Sequence, residues 1–372
     1  MKVLYVGPYF FRQAFQDFTI SKITGYVFRD LYKAIEDFVD EIFWLTTAKI
    51  AFIEDELKEY QKLKVIKVYH PPLIGLNKIK AHIQFIRIGY DLCKKEDIDI
   101  VTNISGDVHA FDGLIMGKRA GKKVVVRVAG NQMASCCYRG KYDSWRKFLL
   151  PADEIRARML YQLADKVIVM SQPERGRIAK YTNDEKICVC PRGIDTEKFD
   201  GKLAERNEGG SMMVLYIGRK SKEKGYDLAI EAAKMLEDTP QVKFLFVGDF
   251  EPKESKNIIF KGPVHPSQLV EIYSEADVVI LPSRTEGLPQ VALEAMSMRR
   301  PTILSHDVFD SLFPRELAVF CRLDPIDIVQ KILYILKHPE ESRVLGERGR
   351  KFIEENLSMK QMSVKYRQTL LD

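Results

Sequence analysis

The 372-residue sequence has no run of about 20 apolar residues, so it offers no bilayer-spanning helix. Its opening residues, Met1 to Gly7, read as a strand and a turn. They lack the longer apolar core and small-residue cleavage site of a signal peptide. The six cysteines (Cys93, Cys136, Cys137, Cys188, Cys190 and Cys321) form no C-x-x-C pair and have no zinc spacing. Reduced thiols in a cytoplasmic protein are the expectation. No G-x-G-x-x-G follows the first strand; the loop reads Gly7-Pro-Tyr-Phe-Phe-Arg12, which excludes a dinucleotide fingerprint. Solenoid-type repeats are absent. The formal charge of +6 is too small to indicate nucleic acid, though it suits acidic ligands or an anionic lipid surface.

What is present is ordinary for a soluble globular chain: 46% hydrophobic and 30% charged residues. The length suits two domains rather than one core. Short β-branched runs alternate with helical patterns, which predicts an α/β fold with parallel sheets. The expected strands are Lys2–Val6, Ile42–Leu45, Val65–Val68, Ile98–Asn103, Lys123–Val128, Lys166–Met170 and Ile187–Cys190, then Met213–Ile217, Lys243–Val247, Ile258–Phe260, Val278–Leu281 and Pro301–Leu304. Helices are expected over Tyr26–Phe38, Lys80–Lys95, Gly106–Ala120, Asp153–Ala164, Tyr226–Leu236, Pro266–Ser274, Pro289–Met298, Pro325–Lys337, Glu340–Asn356 and Ser358–Leu371. Apolar periodicity lapses in the polar stretch Asp195–Ser211. The expectation is two tandem Rossmann-like domains facing a cleft: residues 1–190, with the helix of 358–372 packing back on them, and residues 191–357.

The chemistry concentrates in Asp277-Val-Val-Ile-Leu-Pro-Ser-Arg-Thr-Glu286-Gly-Leu-Pro-Gln-Val-Ala-Leu-Glu294-Ala-Met. It reads as a buried strand, a tight loop and a helix with Pro289 at its first position. The helix is apolar almost all round, so Glu294 is expected to be a buried carboxylate in need of partners. Glu286 lies just ahead of the helix, where free N–H groups and the dipole favour an anion. After the strand ending at Gly218 comes a second loop, Arg219-Lys-Ser-Lys-Glu-Lys224-Gly225. Both loops follow strands and therefore open on the same edge of the sheet. Arg219 offers a planar fork for phosphate oxygens and Lys224 a mobile point charge. Two carboxylates and two cations on one edge suit a phosphorylated, polyhydroxylated ligand.

Gly218-Arg219, Glu223-Lys224-Gly225, Val247-Gly248-Asp249, Tyr273-Ser-Glu-Ala-Asp277, Pro282-Ser283 and Glu286-Gly287-x6-Glu294-Ala-Met296 resemble the retaining GT-B glycosyltransferases of the family-4 type. Ala164-Asp165-Lys-Val-Ile-Val-Met-Ser171 and Pro191-Arg-Gly193-Ile-Asp195-Thr-Glu-Lys-Phe199 are similar to that family's inter-domain stretches. The resemblance implies transfer of a sugar from a UDP-, GDP- or ADP-linked donor to a glycan or lipid-linked acceptor. It implies that Glu294 accepts hydrogen bonds from the ribose diol and that Glu286 faces the donor sugar. Gly287 and Leu288 would hold sugar and phosphate through their N–H groups, with Gly218, Gly25 and Val264 also lining the donor. Arg219 and Lys224 would stabilise the departing nucleoside diphosphate. The family usually needs no metal, and the expectation is that the sequence has no D-x-D cluster to hold one.

The departures fall mostly outside this core. Arg299 stands where the family commonly has glycine, and Arg192 where it has asparagine. The family often has a histidine after the Val124–Val128 strand, and Ala129 replaces it here, which leaves Arg127 and Asn131 as the acceptor-side candidates. A donor-binding protein that has lost transfer, or another GT-B enzyme such as an epimerase, is the alternative. Two basic amphipathic stretches, Asn77–Lys95 and Arg139–Arg158, suit either an anionic membrane surface or core-facing helices with a solvated basic face.

Overall fold

The computed structural model describes residues 1–7, 31–46, 60–68, 76–103, 108–128, 150–201 and 211–372. These form two compact units: Met1–Arg192 with Met362–Asp372, and Gly193–Gln361.

The first unit is built on seven strands: β1 (Lys2–Val6), β2 (Glu41–Thr46), β3 (Leu63–Lys67), β4 (Ile100–Asn103), β5 (Lys123–Arg127), β6 (Lys166–Val169) and β7 (Ile187–Val189). They pair in parallel in the order β3-β2-β1-β4-β5-β6-β7. Residues on both faces of β1, from Val3 to Val6, are fully buried, as expected for a parallel sheet covered by helices on each side. The described helices of this unit are α1 (Leu76–Lys95), α2 (Val108–Ala120), α3 (Leu150–Leu163) and α4 (Gln172–Ile178). Of the helix expected over Tyr26–Phe38, residues 31–35 are helical and 26–30 lie outside the described residues.

The second unit repeats the plan with β8 (Met212–Gly218), β9 (Val242–Gly248), β10 (Lys253–Ser255), β11 (Ile258–Lys261), β12 (Val278–Leu281), β13 (Thr302–Ser305) and β14 (Val319–Cys321), ordered β10-β11-β9-β8-β12-β13-β14. Two of these strands carry no signal that the sequence reading used. β10 is a fully exposed, charged edge that turns through Lys256, at φ 43°, to run antiparallel to β11. A charged, short edge strand resists further pairing, which is why it lacks the apolar alternation of an inner strand. β14 has three residues, too few to show a period. The helices are α5 (Tyr226–Met235), α6 (Leu269–Glu275), α7 (Gln290–Ser297), α8 (His306–Phe309), α9 (Pro325–Lys337) and α10 (Pro339–Asn356); α11 (Met359–Leu371) follows and from Met362 onward belongs to the first unit.

In the second sheet, strands added after β8 run outward through β9 on one side, and from β12 onward on the other. The chain order therefore reverses between β8 and β12, which pair directly through Val278–Val214 and Val279–Leu215. Open α/β sheets bind ligands outside the carboxyl ends of strands at such a reversal. The loops that leave Gly218 and Leu281 are therefore neighbours at this reversal.

Candidate functional site

Glycine sets how closely the loops after β8 and β12 approach. Gly225 has a left-handed backbone (φ 69°), and a Cβ there would sit 1.9 Å from the Pro282 carbonyl oxygen. Any side chain would both strain the backbone and push the loops apart. Tyr216, buried in β8, closes the basic loop by sharing its hydroxyl between the carbonyl oxygens of Arg219 (3.1 Å) and Lys224 (3.3 Å). Burial, followed by the charges of Glu286 and Asp227, pushes the Tyr216 phenol far above its ordinary pKa, so it stays a donor.

From the opposite loop, Arg284 reaches across. Its guanidinium makes a two-pronged contact with Asp227 (2.7 and 2.8 Å) and donates to the Lys222 carbonyl at 2.6 Å. Its own backbone N–H donates to the Glu223 carbonyl at 2.9 Å. Fork-to-carboxylate pairing of this kind fixes geometry as well as adding energy. Between the clamped loops, Lys224 Nζ lies 2.8 Å from each Glu286 oxygen, and Ser283 Oγ donates to Oε1 at 2.9 Å. The Glu286 side chain is only 9% exposed and that of Lys224 27%. Removing the lysine would leave a sheltered carboxylate without its cation, the costly way to break such a pair.

Arg219 behaves differently. Its side chain is 49% exposed and meets Glu223 Oε2 at 3.2 Å, one helical turn along. An exposed pair like this holds loosely and can turn to a ligand at little cost.

α7 carries the second carboxylate. Pro289 occupies the N-cap rather than the first helical position, with an extended backbone (φ −79°, ψ 106°). Ala292, Leu293, Ala295, Met296 and Ser297 are buried as expected, but Glu294 is half-buried rather than buried. The helix turns an apolar stripe to the sheet, and a residue between Leu293 and Ala295 falls on its border. Glu294 Oε2 accepts a hydrogen bond of 2.8 Å from the Tyr273 hydroxyl. Leu288 and Val264 are half-buried against the same apolar cluster, and Gly287 is buried.

Arg299 keeps the glycine-type turn. It has φ 56°, and the Arg299 and Arg300 N–H groups close the end of α7 on the carbonyls of Met296 (3.0 Å) and Ala295 (2.8 Å). These are the two bonds of a Schellman cap. The side chain pairs with Asp200 (2.8 Å) and Glu347 (3.3 Å) and also contacts the Gly201 carbonyl. Its backbone oxygen leaves no room for a Cβ at Gly346, which would stand 2.2 Å away.

In the first unit, Gly25, Ala129 and Asn131 lie outside the described residues, as does 139–149 of the second basic stretch. Arg127 closes β5 and is 3% exposed. Its backbone exchanges two 2.8 Å hydrogen bonds with the Asn103 side chain, and its guanidinium lies 3.7 Å from Met170 Sδ. Burial pushes the pKa of Tyr366 on α11 well above its ordinary value, and the neighbouring Arg127 charge offsets only part of that rise. The sequence does contain one D-x-D tripeptide, Asp97-Ile98-Asp99, so the earlier reading needs correcting. It precedes β4 at the opposite, amino edge of the sheet, where Asp97 pairs with Lys122 (2.7 Å) and Asp99 accepts the Lys2 N–H (2.7 Å).

Tyr216, Tyr273, Arg284 and Asp227 all shape the site but were given no site role from sequence, although Tyr273 opens one of the quoted motifs. Tyr216 and Tyr273 sit in apolar strand and helix patterns that look like core. Arg284 and Asp227 are 57 positions apart, and only the fold pairs them.

Comparison with known proteins agrees with this layout. Two family profiles match consecutive stretches: Glycosyltransferase Family 4 over residues 40–198 and Glycosyl transferases group 1 over residues 195–352. The putative teichuronic acid biosynthesis glycosyltransferase TuaC of Bacillus subtilis is 34% identical over 126 residues, covering 31% of this chain and 32% of that protein. An uncharacterized glycosyltransferase of Methanocaldococcus jannaschii is 22% identical over 320 residues, 80% of this chain and 82% of its own. Among solved structures, Anabaena HepE in complex with UDP and glucose superposes with a TM-score of 0.75 at 14% identity, covering 100% of this chain and 99% of that one. The fold is that of the GT-B glycosyltransferases. The chain belongs to the family-4 type of that class.

Proposed function

We propose that the chain is a retaining glycosyltransferase that moves a sugar from a nucleotide-diphosphate donor to a glycan or lipid-linked acceptor without a metal. The clamped loop pair carries this reading: Lys224 and Glu286 lie 2.8 Å apart on the same sheet edge as Glu294. In this reading Glu294 takes the ribose diol, and Glu286 meets the donor sugar's hydroxyls. Lys224 and Arg219 meet the diphosphate. As the bond from the anomeric carbon to the phosphate oxygen breaks, negative charge grows on the diphosphate, and preset cations favour that state over the ground state. Lys224 must then exchange part of its contact with Glu286 for the phosphate, which frees Glu286 for the sugar. The UDP and glucose held by HepE and the teichuronic acid biosynthesis in the name of TuaC support a nucleotide-sugar donor and a glycan acceptor.

Thermal shift and transfer assays with UDP-, GDP- and ADP-sugars test the proposal. Transfer with retained anomeric configuration in the presence of a chelator is the expected outcome. Binding without hydrolysis or transfer would favour the donor-binding alternative, which the Ala129 departure motivates. Glu294→Ala should chiefly weaken binding of the free nucleotide, whereas Glu286→Ala should chiefly lower turnover; the reverse pattern would exchange their roles.

A membrane-borne acceptor has one further support. On α3, Ile155, Met159 and Leu163 are all exposed at i, i+4 and i+8, with Arg156 and Arg158 between them. Such a face suits an anionic lipid surface. No helix of the described residues is long and apolar enough to cross a membrane. Flotation with liposomes should require anionic lipid and weaken with salt; binding indifferent to both would sink this part of the proposal.

A further inference from the structure

We infer that Tyr273 is a positioning residue: its hydroxyl presets the Glu294 carboxylate for the ribose diol of the nucleotide. The inference rests on the reading of Glu294 as the ribose acceptor. Tyr273 lies on α6, one helix away from the carboxylate it meets, and is fully buried. Its ring packs edge-on to Phe199 (centroids 6.1 Å apart) within a cluster of Ile272, Ala276, Leu293 and Met296. A phenylalanine would fill that space equally well, so packing does not explain the hydroxyl. The hydroxyl has one strong acceptor, Glu294 Oε2 at 2.8 Å; the Val291 carbonyl at 3.5 Å stands at the limit of a hydrogen bond.

The terminal torsion of a glutamate is broad and poorly determined by the chain alone. A donor fixed in the core removes that freedom before a ligand arrives, and preorganisation of this kind is a common source of affinity. Burial and the nearby Glu294 charge push the Tyr273 phenol far above its ordinary pKa, so it remains a donor throughout. The hydrogen bond is charge-assisted, and its donor end is buried in the apolar cluster.

The test uses the full chain and calorimetric titration with UDP, GDP and ADP, each compared with its 2′,3′-dideoxy form. Wild type, Tyr273→Phe, Glu294→Gln and the double variant are measured, with thermal unfolding as a check that each is folded. For the nucleotide whose ribose form wild type prefers, Tyr273→Phe should lose about tenfold in affinity, the scale of one charge-assisted hydrogen bond. Its affinity for the dideoxy form should move by less than about twofold on the same scale. In the Glu294→Gln background, Tyr273→Phe should add no further loss. Equal losses for the ribose and dideoxy forms would show a merely structural tyrosine and overturn the inference, as would full additivity in the double variant. Wild type binding both forms equally would instead defeat the reading of Glu294, and the inference with it.

Discussion

Arg127 ends β5 in the first unit and Arg219 follows β8 in the second, both at the carboxyl edge of a largely parallel sheet, but β8 borders the reversal of its strand order and β5 does not. Arg127 is 3% exposed, and its backbone is locked to Asn103. Arg219 has 49% of its side chain exposed and only a loose contact with Glu223. The neighbouring sequence decides between them. Arg127 is followed by Val128 and Ala129, which continue an apolar strand pattern, whereas Arg219 opens a run of charges that ends in Gly225. An arginine continuous with a strand is enclosed by what packs on the sheet, and an arginine in a glycine-ended loop stays available. The carboxyl edge of a doubly wound sheet can thus close over an arginine at one strand and leave one open at another.

Breaking the second edge should have the largest consequences. Gly225→Ala should lose transfer altogether and destabilise the unit by about 3 kcal/mol or more, since it combines backbone strain with a clash. Thermal unfolding and donor turnover would show both, and near-normal behaviour would mean that the loops can separate without penalty. Lys224→Ala should lower turnover by about a hundredfold or more, as for the loss of a preset charge at a leaving group. Arg219→Ala, the exposed partner, should cost about tenfold in the same assay, nearer the value of one exposed contact to a charged group. Equal effects would erase the distinction drawn here between the two cations.

At the first edge the readout changes. Arg127→Met keeps the backbone bonds to Asn103 but removes the buried guanidinium beside Met170 and Tyr366; it should change stability by no more than about 1–3 kcal/mol, with nucleotide affinity unchanged. A selective loss of transfer at normal stability would return Arg127 to the acceptor side. Glu174, buried on α4 and accepting the Met170 N–H at 2.7 Å, adds a pH test. Burial raises its carboxyl above the ordinary range. The folded state therefore holds that proton longer than the unfolded state, and stability falls as pH rises from the ordinary carboxylate range through the raised one. Glu174→Gln should flatten this fall in a series of unfolding curves; an unchanged slope would count against it. The smallest effect should come from Arg299→Gly. Relief of the left-handed strain, about 1 kcal/mol, opposes the loss of half-exposed ion pairs worth about as much. A melting temperature shifted by more than a few degrees would show that one term dominates.

Much of the fold was legible because strands buried on both faces leave unbroken apolar runs, as in Val278–Leu281 and Val3–Val6. The two glutamates and two cations were legible because they stand out against such runs or cluster in a loop. What escaped was whatever depends on pairing across the chain. Arg284 and Asp227 are unremarkable charges until β8 and β12 are side by side. Tyr273 reads as core because most of it is core, and only its last atom is not. Glu294 looked buried because its neighbours in sequence are, while a helix turns successive residues by about 100° and leaves some on the border. Pro289 shifted by one position because an N-cap and a first helical residue demand similar things of a proline.

The first unit is interrupted in sequence: it leaves off at Arg192 and resumes at Met362. Its last segment supplies Tyr366 to the core and accepts, at the Leu370 carbonyl, a 2.9 Å hydrogen bond from Lys123. On a ribosome the residues up to Arg192 must wait for those after Gln361 before their sheet is fully covered, while the second unit, continuous from Gly193 to Gln361, can finish without them. Deleting only the final eleven residues should therefore expose the core of the unit that begins the chain, and leave the nucleotide loops, though nearer in sequence, intact.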